Sequence, residues 1–543
     1  MQITAPFRSQ TLRGVRKLSV LVFVTLLFGL PALVGAAAGD LDLTFGSGGK
    51  TTTDFFGFSD RITAIAIQPD GKLVGVGSAA TGLGGTTPAS PISLAAARYN
   101  TDGGLDGAFG SGGKVFLGSF GIGEATAVAL QSDGKIVIVG YAPGVGDDFV
   151  VTRLNTDGSL DSSFGSAGKV LTDFFGAGDR ASGVAIQPDG KIVAGGTANT
   201  TSNGLDFAVA RYEANGTLDL TFGSGGKVNV DFFGGFDVSN ALALQVDGKL
   251  VLAGSVTSGT SDFGLVRFNT DGSLDVTFGS SGKVTTDFFV NSDSANDFAL
   301  QSDGRIVVVG STFNGSNGQF GVVRYDTAGA LDGSFGSGGK VVTSFSGLVS
   351  DPLSVVIQPD GKIVAAGRTV VSAFSQFALA RYNNNGSLDP TFGAGGKVTT
   401  DFAANVDEAF SVALQLDGKV VAAGRTGDSN TFDFVVARYQ ADSIGVEACL
   451  QDDSSRSVLT FNSTTGDYQF TDCQGLTIAG TAMVSRRGCT ITLQHNASDR
   501  RVLIRVDDCR KTGNASMQLF SPPRTFTITD RNTANNTCSC PAN

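Results

Sequence analysis

QPDGKIV, at residues 187–193, is the stretch that decides the fold, because close copies of it occur seven times along the chain. Its tripeptide Asp-Gly-Lys, once Asp-Gly-Arg, recurs at intervals of 56 to 63 residues. A regular period of this length indicates a repeat architecture. Side chains present in every repeat are therefore expected to hold the repeats together rather than to do chemistry at one place. The seven copies begin at Asp70, Asp133, Asp189, Asp247, Asp303, Asp360 and Asp417.

Residues 164–222 make up one period and contain four short runs of apolar and β-branched residues. Pro188, Asp189 and Gly190 form a turn between the second and third runs, because Pro fixes φ and Gly accepts the left-handed conformation. Four strands repeated seven times predict an all-β fold, a seven-bladed β-propeller. A right-handed β-solenoid is the competing architecture, although its coils are usually shorter than this period. The four runs lie at 170–174, 183–187, 191–194 and 206–212.

The two ends of the repeat array indicate how the ring closes. Residues 50–55 read Lys-Thr-Thr-Thr-Asp-Phe and precede the first inner strand, whereas no such segment follows the last run at 435–439. We therefore predict that residues 50–56 form the outer strand of the last blade. Closure of this kind removes the exposed edges that favour aggregation.

The composition favours a folded chain and disfavours nucleic acid as a partner. Of the 543 residues, 76 are Gly and 40 are Phe, and the hydrophobic fraction of 41% is ample for a core. The net charge of −11 argues against phosphate binding, which needs clustered Lys and Arg.

The chain divides into three predicted segments. Residues 1–38 resemble a signal peptide, with basic residues, an apolar run at 18–34 and three Ala before Gly39. An uncleaved membrane anchor is the alternative, because the run approaches spanning length. Residues 39–442 form the propeller, and 445–543 form a small Cys-rich β domain. We expect a secreted, periplasmic or cell-surface protein without membrane insertion after cleavage.

All six cysteines lie in the last hundred residues. An even number of cysteines in an exported chain predicts disulfides, and six allow 15 pairings. A zinc site is the alternative, but His495 is the only His in the chain. The predicted disulfide-forming residues are Cys449, Cys473, Cys489, Cys509, Cys538 and Cys540.

Three recurring strings resemble a known family. They are Leu-Asp-x-x-Phe-Gly-x-x-Gly-Lys, Gln-x-Asp-Gly-Lys-Ile-Val and Ala-Arg-Tyr-Asn-x-Asp-Gly-Ser-Leu-Asp, which recur in one order over residues 40–442. This pattern resembles the delta-60 repeat, a bacterial β-propeller repeat of unassigned function. The resemblance implies a fold and an exported setting but no activity. Gly118 and Ser344 depart from it, because they replace an Asp found at Asp54, Asp173, Asp231, Asp287 and Asp401.

Two charged residues recur once per repeat, and we interpret both as structural. The fork of a guanidinium pairs well with a carboxylate, so a repeated Arg–Asp contact can fix the connection between blades. A ring of charge that binds an ion is the functional alternative. The residues are Arg98, Arg153, Arg211, Arg267, Arg324, Arg381 and Arg438, with Asp42, Asp106, Asp161, Asp219, Asp275, Asp332 and Asp389.

The sequence predicts no catalytic, cofactor-binding or metal-ligating residue. Neither His nor Cys occurs in 39–442, which removes the usual nucleophile–base systems from the array. The Asp-rich turns at 155–161 and 269–275 resemble calcium loops weakly, but each offers too few carboxylates. The Gly-rich strings before each Lys lack the helix of a phosphate loop. The acidic pairs at 147–148 and 407–408 are interpreted as solvated surface.

These observations predict an exported, non-catalytic binding propeller that is a monomer, binds an extracellular protein or glycan and has no cofactor. A secreted polysaccharide hydrolase or lyase that uses Asp residues is one alternative. A structural component of the cell envelope is another. Recognition is expected in the segments that differ between repeats, because loops on a rigid scaffold usually carry it. These segments are 78–93, 141–148, 197–206, 255–262, 311–319, 368–376 and 425–433.

Overall fold

The computed structural model describes the propeller region with a few gaps and the backbone of the strands in the tail. Side-chain positions are described for residues 37–82, 92–118, 123–142, 146–200, 204–345, 349–372, 374–402, 406–428 and 431–442. Most of the predicted signal peptide, residues 1–36, lies outside the described part. Within the described part, no helix has the length and apolar character needed to cross a membrane.

In the described residues up to 442, the strands form seven antiparallel, four-stranded units, which we number as blades 1 to 7. Blade 1 consists of β2 (Asp60–Ile67), β3 (Leu73–Ala80), β4 (Ile92–Tyr99) and β5 (Lys114–Phe116), blade 2 of β6 (Glu124–Leu130), β7 (Ile136–Gly144), β8 (Gly146–Leu154) and β9 (Lys169–Thr172), and blade 3 of β10 (Arg180–Ile186), β11 (Ile192–Asn199), β12 (Leu205–Tyr212) and β13 (Lys227–Val230). Blade 4 consists of β14 (Val238–Leu244), β15 (Leu250–Ser258), β16 (Thr260–Phe268) and β17 (Lys283–Thr286), and blade 5 of β18 (Ser294–Leu300), β19 (Ile306–Phe313), β20 (Gly318–Tyr325) and β21 (Lys340–Thr343). Blade 6 consists of β22 (Val349–Ile357), β23 (Ile363–Val371), β24 (Phe374–Tyr382) and β25 (Lys397–Thr400), and blade 7 of β26 (Val406–Leu414), β27 (Val420–Gly427), β28 (Phe432–Tyr439) and β1 (Lys50–Thr53).

The first strand of each blade is the inner one, and the inner strands are bonded to one another in a closed belt. Each inner strand has a β-bulge, which re-aims one side chain toward the next blade. In blades 1 to 5 that side chain is Thr, Ser or Asn and donates to a carbonyl of the next inner strand. The pairs are Thr63–Ala125, Thr126–Ala181, Ser182–Ser239, Asn240–Ala295 and Asn296–Pro352, at 2.6–2.8 Å.

Apolar residues occupy the bulge in the last two blades, and the following serine takes over the contact. Ser354 Oγ accepts the N–H of Val412 at 3.2 Å, and Ser411 Oγ accepts the N–H of Ile65 at 3.1 Å. The second of these bonds joins blade 7 to blade 1. The belt therefore runs through all seven inner strands, as a closed ring requires.

The N-terminal segment of the described chain completes blade 7. Strand β1 pairs antiparallel with β28, so residues 50–53 supply the outer strand that the sequence predicts there. Ala38 is buried, and its carbonyl accepts the N–H of Gly393 at 2.9 Å. Signal cleavage directly before Gly39 would remove this carbonyl. We call residues 37–53 the clasp.

The hydrophobic core lies between successive strands and blades and repeats a pair of Phe rings. In six of the seven blades a Phe lies shortly after the outer strand, and its ring packs against a Phe of the third strand with 4.9–5.2 Å between ring centroids. Such tilted aromatic pairs add about 0.5–1.5 kcal/mol beyond their buried area. The pairs are Phe55–Phe434, Phe149–Phe174, Phe207–Phe232, Phe263–Phe288, Phe320–Phe345 and Phe377–Phe402.

In the part of the tail that the structure describes, eight further strands occur. They form one sheet in the order β35-β34-β33-β32-β31-β30-β29-β36. Their bounds are β29 (Gly445–Gln451), β30 (Arg456–Asn462), β31 (Asp467–Thr471), β32 (Thr477–Arg487), β33 (Thr490–His495), β34 (Arg501–Val506), β35 (Ala515–Leu519) and β36 (Thr527–Asp530). The side chains of the six cysteines lie outside the described residues, so the disulfides stay a prediction.

Candidate functional site

The recurring Arg and Asp residues meet at one end of the blades, which we call the hairpin face because the Asp-Gly-Lys turns lie there. A guanidinium nitrogen lies 2.7–2.8 Å from an Asp Oδ2 in all seven pairs. The pairs are Arg98–Asp106, Arg153–Asp161, Arg211–Asp219, Arg267–Asp275, Arg324–Asp332, Arg381–Asp389 and Arg438–Asp42.

Arg211 illustrates how each pair joins two blades. Its Nε donates to Asp219 within blade 3, and its Nη1 donates to the carbonyl of Thr270 in blade 4 at 2.6 Å. The guanidinium also stacks on the ring of Phe222 at 4.5 Å. Lys191 of the Asp-Gly-Lys turn contacts Asp219 as well, at 2.7 Å. The tripeptide therefore recurs because its Lys completes this buried cluster.

The same pairs predict a loss of stability in acid. Burial alone would raise the pKa of Asp42, but hydrogen bonds from Thr44 and Lys419 outweigh it and lower the pKa to about 2. Asp389 also has a pKa of about 2, where hydrogen bonds from Thr391 overcome the effect of burial. A lowered pKa in the folded state stabilises the fold above the unfolded value of about 4, by about 2 kcal/mol per group.

We therefore expect the free energy of unfolding to fall steeply as the pH drops from about 4 to 2. Thermal melts followed by circular dichroism at pH 5, 4, 3 and 2.5 measure this. Asp42→Asn lacks one of the titrating groups and should show a shallower dependence. A melting temperature that is constant over this window would contradict the assignment.

Carboxylates gather at the opposite ends of the blades, which we call the variable face. Among the described residues, three Asp side chains meet at each of four blade junctions, and one oxygen of each lies within 4.8 Å of the others. The first Asp lies in the third strand of a blade, the second follows its outer strand, and the third lies at the start of the next inner strand. These triads are Asp433–Asp54–Asp60, Asp148–Asp173–Asp179, Asp206–Asp231–Asp237 and Asp262–Asp287–Asp293.

The third member of each triad holds the loop that leads into the next blade. Asp237 Oδ2 accepts the N–H of Phe232 at 2.6 Å, and its Oδ1 accepts the N–H of Thr257 at 3.1 Å. Burial raises the pKa of the equivalent Asp60 to about 7, despite backbone hydrogen bonds that oppose this effect. The charges of these carboxylates are therefore only partly compensated.

The interpretation of the acidic pairs at 147–148 and 407–408 as solvated surface is wrong for three of the four residues, whereas the Asp147 side chain is 30% exposed. Asp148, Asp407 and Glu408 are buried, because they lie in β8 and β26 rather than in loops. Asp407 caps a loop in the same way as Asp237 does, through the N–H of Phe402. The adjacent Glu408 faces a different set of partners.

Glu408 belongs to a ring of positions at which the residue changes from each blade to the next. The ring consists of one residue from the first three positions of each inner strand, next in sequence to the last member of each triad. Each ring residue pairs across the sheet with one residue of the second strand. The pairs are Arg61–Ser78, Glu124–Tyr141, Arg180–Thr197, Val238–Ser255, Ser294–Ser311, Asp351–Arg368 and Glu408–Arg425.

Charged members of this ring form a continuous arc over blades 6, 7, 1, 2 and 3, which we call the mouth arc. On one side, Glu408 contacts Arg368 of blade 6 and Arg425 of its own blade, and Arg425 Nη2 lies 2.7 Å from its carboxylate. Arg368 Nε also donates to Asp351 at 2.9 Å.

The other side of the arc centres on Glu124. Arg61 of blade 1 binds both oxygens of its carboxylate, and the hydroxyl of Tyr141 donates to it at 3.2 Å. The charge of Glu124 and, less strongly, that of Glu408 raise the pKa of Arg61 against the opposing effect of burial. Arg180 stacks on the ring of Tyr141 at 4.4 Å and pairs with Asp147 at 2.6 Å.

The arc exposes its guanidinium groups and buries its carboxylates. The Arg61 side chain is 38% exposed and that of Arg180 is 61% exposed, whereas Glu124 is 7% and Glu408 is 4% exposed. A guanidinium has five N–H donors, so an arginine that binds one carboxylate retains donors for a second group. The surface of the arc therefore offers planar N–H donors and the face of Tyr141.

Comparison with known proteins identifies the repeats. A family model described as "Domain of unknown function (DUF5122) beta-propeller" matches seven segments, at 68–109, 131–164, 187–222, 245–278, 301–335, 358–392 and 415–443. The protein is a β-propeller of seven such repeats. The match agrees with the predicted propeller repeat, although under another name than delta-60. No curated protein matches the chain significantly.

Solved structures match the chain at low sequence identity and with TM-scores below 0.5. Virginiamycin B lyase from Staphylococcus aureus has 10% identity and a TM-score of 0.44, covering 72% of this chain and 99% of its own. The periplasmic gluconolactonase of Pseudomonas aeruginosa has 17% identity and a TM-score of 0.40, with coverage of 62% and 86%. An ulvan lyase of a polysaccharide lyase family has 13% identity and a TM-score of 0.40, with coverage of 72% and 96%.

Sequence reasoning missed both features of the variable face. No sequence motif marks the mouth arc, because each repeat contributes different residues to it. A comparison of the seven repeats position by position would have found it, because Arg, Glu, Arg, Val, Ser, Asp and Glu follow one another at a single position. The triads combine one Asp that sequence analysis noted, such as Asp231, with one placed among variable segments, such as Asp206.

Proposed function

We propose that the protein is an exported, non-catalytic binding propeller that recognises an acidic extracellular glycan at the mouth arc. The observation that carries this proposal is the exposure of Arg61 and Arg180 above buried carboxylates. Guanidinium groups held in this way are pre-oriented, so little side-chain entropy is lost when they bind a carboxylate or sulfate group. The ring of Tyr141 beside them suits the apolar face of a sugar.

The ion pairs and hydrogen bonds of the carboxylates in the mouth arc support recognition rather than hydrolysis. A glycosidase needs one carboxylic acid that can donate a proton and a second carboxylate that can act on the sugar. Glu124 and Glu408 are each committed to two cationic or hydroxyl partners in the arc. The triads offer carboxylates close to one another, but they recur at four junctions, which suits a repeated structural role. A role as a structural envelope component has no specific observation in its favour.

The proposal predicts selective retention of acidic polysaccharides. The mature chain should bind immobilised polyuronate or sulfated glycan and should leave neutral dextran unbound. The double substitution Arg61→Gln, Arg180→Gln should weaken binding by about 100-fold or more, because two charge-assisted hydrogen bonds are lost and each contributes about 1.5–3 kcal/mol. Biolayer interferometry at several salt concentrations measures both effects.

Arg305→Gln provides the matched control for this experiment. Arg305 has a side chain that is 39% exposed, close to the value for Arg61, but it lies on the hairpin face against Asp303. Its substitution should leave glycan binding unchanged. Equal binding by the double variant and the native protein would refute the proposed site, and release of reducing ends from the polysaccharide would support the hydrolase alternative instead.

A further inference from the structure

The triads of the variable face have the geometry of a cation site. Two oxygens bound to one calcium ion at 2.3–2.6 Å can be no more than about 5 Å apart. One oxygen from each of Asp206, Asp231 and Asp237 lies within 4.8 Å of the other two. The three side chains come from the third strand of blade 3, the loop after its outer strand and the residue before β14.

Asp206 carries the second and independent observation. The residue is 2% exposed, and its Oδ1 accepts no hydrogen bond from any described residue. Its other oxygen accepts from Asn229 Nδ2 at 3.1 Å. A buried carboxylate oxygen without a donor is costly, because water cannot reach it and nothing replaces the water. The Oδ1 atom of the equivalent Asp262 is buried without a donor as well.

The cation already near this triad does not neutralise it. Lys283 Nζ donates to the backbone carbonyl of Asp231 at 2.6 Å and lies over the ring of Phe232 at 5.3 Å. It therefore contributes one positive charge beside three carboxylates.

Two of the three blades without a triad replace all three acids together, whereas blade 6 keeps Asp401 and Asp407 and has Gln376 in place of the first acid. Blade 5 has Gln319, Ser344 and Ser350 at these positions, and Gln319 Nε2 donates to Ser344 Oγ at 2.5 Å. Blade 1 has Ser93 followed by two glycines at the other positions. A neutral set can therefore close the same junction by direct hydrogen bonds. The acidic set cannot do so while all three carboxylates are ionised, because ionised carboxylates offer acceptors only.

We propose that the four aspartate triads bind calcium, one ion at each of four blade junctions. Hard oxygen donors and the spacing of the carboxylates suit calcium better than magnesium, whose shorter bonds require a smaller cage. Water would supply the remaining ligands. Each ion would join two successive blades through Asp206, Asp231 and Asp237 or their equivalents. Calcium would therefore hold the blades together at the variable face.

The experiment counts the calcium ions bound by the full mature chain and by two variants, one expected to bind fewer ions and the other expected to bind more. Asp206→Asn removes one ligand and should lower the number of bound ions by one. Gln376→Asp completes a triad with Asp401 and Asp407 in blade 6 and should raise the number by one. Equilibrium dialysis of metal-free protein against calcium up to about 10 mM, the range of extracellular calcium modules, measures the stoichiometry.

Thermal melts provide the second readout. Calcium should raise the melting temperature of the native chain by at least about 5 °C at saturation, and magnesium should raise it by much less. Without calcium, Asp206→Asn should melt at or above the native temperature, because it removes like-charge repulsion. Absence of bound calcium at 10 mM, or a stoichiometry that neither substitution changes, would overturn the proposal.

Discussion

Deletion of the clasp, residues 37–53, is expected to lower the melting temperature by more than about 10 °C. The deletion removes β1 from the edge of β28 and takes away Phe45, which is fully buried. It also leaves Arg438 without Asp42, its partner at 2.8 Å. Loss of a buried Phe alone costs about 3–5 kcal/mol. Differential scanning calorimetry of the deleted and native chains measures the effect.

A peptide added in trans makes this test specific. A synthetic peptide of residues 37–56 should bind the open edge of the deleted protein and restore the melting temperature in a concentration-dependent way. Leu43→Ser, within the same segment, should change little because Leu43 is 75% exposed. An unchanged melting temperature after the deletion would show that the ring does not depend on its clasp.

The substitution Arg211→Ala is expected to lower the free energy of unfolding by about 3–5 kcal/mol. It leaves Asp219 buried with Lys191 as its remaining cationic partner and removes the bond to blade 4. The stacking contact with Phe222 is lost as well. Urea denaturation followed by circular dichroism measures the change.

Arg305→Ala is the control, because Arg305 lies on the same face and contacts Asp332 but is far more exposed than Arg211. Exposed ion pairs contribute about 0–1 kcal/mol, so this substitution should have a small effect. Equal losses from the two substitutions would contradict a cohesive role for the recurring arginines.

The sequence was sufficient for the motifs that occur in all seven repeats. The interval between Asp-Gly-Lys turns predicts the number of blades, because each turn is a hairpin with the same neighbours in every unit. The pairing of Arg211 with Asp219 follows from their proximity in the chain. Even the contact of Arg438 with Asp42, at opposite ends of the array, follows once the ring is closed by residues 50–53.

Features that arise from cross-strand register could not be predicted in this way. Asp206 and Asp231 are 25 residues apart in the sequence and meet only because the third and outer strands pair. Glu124 and Arg61 lie in different blades and in no shared motif. Burial of Glu408 depends on the length of β26, which begins before the apolar run that marks the inner strand. Local patterns do not carry this information.

The central claim is that recurring side chains hold the ring together, whereas the singular side chains of the mouth arc bind a ligand. A crystal structure of the mature protein with an acidic oligosaccharide tests it most directly. The account predicts that the carboxylate or sulfate groups of the sugar lie within hydrogen-bond distance of Arg61 and Arg180, beside Tyr141. A sugar bound at the hairpin face, against the Arg211 series of pairs, would contradict it.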